Sequence, residues 1–157
     1  MPIFSSNVLL AVIWMFLHGS VTMNQFLLGF ILGYVILYFF RGLLPDSSYF
    51  RRTLGILKFL LLFGWKNVQA NFIVAWEVIT PSNHMRPGFL KIDPESDTAL
   101  EITWLANTIS LIPGTLTVDT SEDDDFLYIH AMHIRDPEEI KREITEDIEP
   151  AILEFLR

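Results

Sequence analysis

MPIFSSNVLLAVIWMFLHGSVTMNQFLLGFILGYVILYFF, residues 1–40, contains no Asp, Glu, Lys or Arg. At ~1.5 Å per helical residue this run reaches roughly 60 Å, about twice a ~30 Å hydrocarbon core. One helix cannot use that length; two antiparallel helices can. His18-Gly19-Ser20 interrupts the apolar run and Val21-Thr22 restarts it. The pattern predicts a first span from Pro2 to about Leu17 and a second from Thr22 to about Phe40. The first is slightly short. A cleaved signal peptide fits poorly, because no Lys or Arg precedes the apolar run and no small-residue cleavage site follows it.

Outward from this run the character changes. Residues 1–80 carry five basic against two acidic residues, net +3, and residues 81–157 carry six against seventeen, net −11. The whole chain of 157 residues has net charge −8, is 51% hydrophobic and has no cysteine. That division reads as residues 1–41, two transmembrane helices; 42–80, a cytoplasmic loop and a further helix; and 81–157, an acidic water-soluble domain. The acidity argues against nucleic acid as a partner. The missing thiols exclude disulfides, thiolate zinc sites, iron–sulfur clusters and a cysteine nucleophile.

Lys and Arg set orientation in membranes. The predicted turn near Gly19 has none, whereas Arg41, Arg51, Arg52 and Lys58 follow the second span. Both termini are therefore expected in the cytoplasm. Charged paths through a bilayer need groups such as carboxylates, Lys or Arg to replace water; neither span has one, and His18 sits at the turn between them. Gly29 and Gly33 form a G-x-x-x-G that lets another helix approach closely. The first span or a partner subunit would serve equally.

Leu54 to Ile79 is helical in pattern, with Lys58, Lys66, Gln69, Glu77 and Thr80 within about a third of the circle. It reads as an interfacial amphipathic helix with lysines snorkelling to headgroups. A third span, which would place the acidic domain outside, is the alternative. The soluble half, after a linker at Thr80-Pro81-Ser82-Asn83 and Arg86-Pro87-Gly88, reads as a small α+β domain of order β-α-β-β-α. Its elements are a strand Phe89–Ile92, a helix from Ser96 to about Leu111 stopped by Pro113-Gly114, strands Thr115–Thr120 and Phe126–Ile134 around an acidic turn at Ser121–Asp125, and a helix capped by Asp136-Pro137. Glu139 can complete a capping box there, and Pro150 is expected to split off a second short helix with Ile152, Phe155 and Leu156.

Catalytic readings fail on the residues themselves. His130 and His133 sit three apart on a strand and face opposite sides, so they do not share a metal ion. Glu122-Asp123-Asp124-Asp125 lacks calcium-loop spacing. Ser110, Thr115 and Thr117 near His130 lie in no nucleophile elbow, and Gly114 alone makes no phosphate cradle. No enzyme activity, cofactor or metal is expected.

The stretch Asn107-Thr108-Ile109-Ser110-Leu111-Ile112-Pro113-Gly114-Thr115-Leu116-Thr117-Val118-Asp119, with Tyr128-Ile129-His130-Ala131-Met132 beyond it, resembles the E subunit of the Mrp-type multisubunit cation/proton antiporter. The family pattern is a helix running into N-x-I-[ST]-L-x-P-G-T, then T-V-[DE], then a strand ending V-H-x-[LM]. Ile112 stands where Thr is commoner, and Ile129 replaces Val. The resemblance covers nearly the whole chain. It implies an accessory subunit of a prokaryotic plasma-membrane assembly that exchanges sodium for protons, with ions handled by partner subunits and this chain serving assembly or support. It marks Asn107, Thr108, Pro113, Gly114, Thr115, Asp119 and His130 as motif and turn residues. Related subunits occur in membrane-bound hydrogenase and sulfur-reducing complexes. A membrane-anchored module recruiting a cytoplasmic partner is the other reading.

Overall fold

In a computed structural model the described residues are 3–44, 48–80, 86–121, 126–134 and 136–157. The expected linker at 81–83 and the acidic turn at 122–125 lie outside them. The chain divides into two units, Met1–Thr53 and Leu54–Arg157.

The first unit holds α1 (Ile3–Leu17), α2 (Met23–Phe39), a 3-10 turn (Arg41–Leu43) and the first turn of α3 (Ser48–Ile79). Gly19 turns the chain between α1 and α2 with φ +71°, a conformation a β-carbon disfavours. Thr22 caps α2 by accepting a hydrogen bond from the Gln25 N–H. Gly29 lies against Ala11 and Trp14, and Gly33 against Asn7 and Leu10, so the two helices run antiparallel. The first turn of α3 sets Phe50 edge-to-face against Tyr34 and Tyr38. No described helix is long and apolar enough to cross a membrane. Helices α1 and α2 have 15 and 17 residues, and α3, with 32, is interrupted by charges.

The second unit packs the remainder of α3, α4 (Ala99–Ser110) and a C-terminal helical run on one face of a three-stranded antiparallel sheet. The strands are β1 (Gly88–Ile92), β2 (Thr115–Thr120) and β3 (Leu127–Ala131), in the order β1-β3-β2. Alternation decides which face is covered. Leu90, Ile92, Leu127, Ile129 and Ala131 are buried, and with Ile102, Leu105 and Ile109 of α4 they form most of the core. Phe89, Leu116, Val118 and Tyr128 remain exposed.

Three elements depart from expectation. Helix α3 begins at Ser48 rather than near Leu54, so Arg51 and Arg52 are helical. Strand β3 ends at Ala131, where the backbone bends: the Met132 N–H still donates to Gly114 O, but Arg86 and His133 then meet in an isolated parallel bridge, with the Ile134 N–H on Arg86 O, instead of continuing the antiparallel ladder. Pro150 does not break the C-terminal run. Helix α5 (Pro137–Arg142), a π-helical turn (Glu143–Ile148) and α6 (Glu149–Leu156) follow without interruption. Proline lacks an N–H and its ring crowds the carbonyl four residues back; the wider turn before it relieves that conflict. At the start of α5, Asp136 accepts from the Glu138 N–H.

Candidate functional site

The Pro-Gly turn is built from the end of α4. Thr98 and Glu101 start that helix with a reciprocal capping box. At its end the Leu111 N–H reaches Asn107 O and Ile109 O, and the hydroxyls of Ser110 and of the next strand add further donors to the last-turn carbonyls. Thr115 Oγ1 donates to Ile109 O at 2.6 Å and reaches Ile112 O at 3.0 Å. Thr117 Oγ1 donates to Ala106 O at 3.0 Å. Ser110 Oγ donates to Ala106 O and accepts from the Thr117 N–H. The reversal that brings β2 back onto α4 needs φ +91° at Gly114. Thus Ser110, Pro113, Gly114, Thr115 and Thr117 form one clamp between helix and strand.

Other motif residues lie around it. Thr108 is buried and bonds Trp104 O. Asn107 is exposed and bonds Thr103 O. Asp119 follows a bulge in β2, pairs in register with Tyr128 and caps the Thr120 N–H. His130 pairs in register with Phe89 and Leu116, and its ring lies 5.1 Å from that of Phe89. His133 lies beyond β3 and meets Glu77 through Nε2 at 2.8 Å. Among the described residues no group of three or more His, Asp or Glu is placed to hold a metal ion.

Gly29 and Gly33 are buried against α1. A β-carbon on Gly29 would stand 2.8 Å from Trp14 Cβ and 3.0 Å from Ala11 Cα, and one on Gly33 would collide with Asn7 Oδ1.

The ionic contacts of α3 differ from the expected snorkelling. Lys58 Nζ reaches Glu154 at 2.6 Å, and Lys66 Nζ reaches Glu143 at 2.8 Å and Asp147 at 3.0 Å. With Glu77 on His133, these charges turn toward the α+β unit. Burial alone would lower the Lys66 pKa, but Glu143 and Asp147 outweigh it and raise it. The Arg157 guanidinium holds Glu101 at about 2 against the opposing effect of burial, helped by the Asp97 and Thr98 N–H groups. The alignment of positions 66 and 77 on one helical face, opposite an acidic second half, is the sequence signal for the α3 pairs.

A family profile described as Na+/H+ ion antiporter subunit matches residues 7–155. The chain belongs to that family. The Na+/H+ antiporter E subunit of Bacillus subtilis is 40% identical over 151 residues, and that of Alkalihalophilus pseudofirmus 37%, each alignment covering 96% of both chains. The solved structure of a membrane-bound sulfane sulfur reductase, an archaeal respiratory membrane complex, contains a chain similar to this one. Its TM-score is 0.58 at 25% identity, over 96% of each chain. The likeness to the E-type antiporter chains thus runs along nearly the whole sequence.

Proposed function

We propose that this chain is an accessory subunit of a multisubunit Na+/H+ antiporter in a prokaryotic plasma membrane, serving assembly or support while partner subunits carry the ions. The near-full-length likeness to E-type antiporter chains carries this reading. The charge distribution supports it. Helices α1 and α2 contain no charged residue, and the ionic side chains described above are paired within the second unit.

In this reading α1 and α2 form a membrane hairpin with both termini cytoplasmic. Spans shorter than the hydrocarbon core are accommodated by local thinning and by flanking anchors. Arg41 over the Tyr38 ring, 4.5 Å from its centroid, is such an anchor at the basic end. Helix α3 lies along the cytoplasmic interface. Leu54, Leu57, Leu61, Trp65, Val68, Phe72, Trp76 and Ile79 recur at helical spacing and are exposed; Lys66 and Glu77 lie well round the helix from this stripe, and Lys58 flanks it. A third span is disfavoured because the carboxylates bound to Lys58 and Lys66 would have to enter the bilayer with it.

Mild-detergent purification of the tagged chain tests the assignment. Antiporter subunits should co-purify; recovery of the chain alone would sink it. The sulfur-reductase neighbour favours a second reading, the equivalent subunit of a redox complex, which co-purifying redox subunits would reveal.

A further inference from the structure

We propose that an apolar groove beside the Pro-Gly turn holds an acyl chain of a membrane phospholipid, a role that rests on the interfacial placement of α3. The cavity is about 690 Å³ and lies wholly within the second unit. Phe72 and Ile73 of α3, Ile112 and Pro113 of the turn, and Ile140 and Ile144 of the C-terminal run form its walls. Apolar pockets of this size with few polar groups suit small apolar ligands.

Three observations choose the occupant. The charged groups at the rim already have partners: Lys66 is held by Glu143 and Asp147, and His133 by Glu77. No compensating charge is required of the ligand. Trp65 and Phe72 line the groove and also belong to the outward stripe, where they are 61% and 74% exposed. The groove therefore opens beside the face assigned to lipid, and an acyl chain enters it without crossing water. A helix about 10–12 Å across would fill this volume within one to two turns. That is too little contact for a helical partner and ample for a flexible chain.

The test uses the full chain, alone and in the assembled complex, in phosphatidylethanolamine/phosphatidylglycerol vesicles. These contain a phospholipid with a photoreactive diazirine in its acyl chain, and adducts are mapped by mass spectrometry. Adducts are expected on Ile73, Ile112 or Ile140, which lie outside the outward stripe, as well as on α1 and α2. Ala70→Trp, which fills the groove from α3, should lower groove adducts several-fold relative to those on α1 and α2. Ile140→Trp fills it from the opposite wall and carries the comparison if the first variant misfolds. Labelled α1 and α2 with an unlabelled groove overturns the lipid site alone. No labelling of either overturns the membrane reading and the lipid site together. Groove labelling in the free chain that disappears in the complex shows that a neighbouring subunit fills the groove, and also overturns the proposal.

Discussion

Asn7 and Tyr49 are 42 residues apart, and Asn7 Nδ2 donates to the Tyr49 hydroxyl at 3.0 Å. The asparagine is fully buried, and its Oδ1 points at the space a Gly33 side chain would need. One polar side chain thus joins the first turn of α3 to α1 at the place where α2 has no β-carbon.

Gly33→Ile should therefore displace Asn7 and lose the Tyr49 bond. An overpacked site of this kind costs roughly 1–3 kcal/mol. Chain insertion should persist while the yield of assembled complex on native gels falls. Gly64→Ala is the control, since a β-carbon there meets nothing within 4 Å. Alanine is the better helix former by up to ~1 kcal/mol, so this variant should assemble normally. Unchanged assembly of Gly33→Ile would show that α1 does not need this approach.

Gly114→Val tests the clamp. A β-carbon there would make only ordinary contacts, with Val74 and Met132 at 3.8 Å and beyond. The cost is conformational, at least ~1 kcal/mol for a branched residue at positive φ. Complex yield should fall, while apparent cation affinity of the surviving antiport in everted vesicles stays unchanged. A shifted affinity at normal yield would show that the turn acts on transport itself.

Glu101 makes stability pH-dependent. Its folded-state pKa, about 2, lies below the ordinary 4.5. Its contribution is therefore complete above about pH 4.5 and is lost as pH falls toward 2. Thermal melts of the detergent-solubilised chain should show a decline in this window that Glu101→Gln flattens. Glutamine retains the capping geometry, so the change isolates the Arg157 pair. Equal slopes for both proteins would mean that the pair makes no measurable contribution.

Orientation is open to cysteine labelling, because the native chain has none. Asp119→Cys places a thiol at an exposed position on β2. It should resist an impermeant maleimide in intact cells and react in everted vesicles. Reaction in intact cells would reverse the orientation and restore α3 as a span.

Local signals are the readable ones. Thr22, Asp136 and Pro137 mark helix starts because capping acts within one turn of chain. Thr115–Thr120 is legible as a strand from its alternation and the preceding Pro-Gly. The Thr98-x-x-Glu101 capping box competes with Ser96 as a start for α4, and only the structure decides for the threonine. The start of α3 is obscured by Arg51 and Arg52, which interrupt its apolar pattern. The central place of β3 depends on pairings between distant strands, which no local pattern carries. Ser110 and Thr117 stand out as polar, but their role becomes visible only with β2 laid beside the open end of α4.

The π turn before Pro150 has an angular consequence. Ile144, Ile148 and Ile152 are all buried at intervals of four. In a uniform α-helix each such step drifts by about 40°, which would swing the third isoleucine well off the line of the first. Here the Glu149 N–H reaches back five residues to Ile144 O. This underwinds the segment and turns it the opposite way. The drift is cancelled midway, and Ile152 returns to the core side. Six residues of slack winding thereby act as gearing for the end of the chain. They set the angle at which Phe155 meets the bare backbone of Gly55 and at which Arg157 arrives at Glu101.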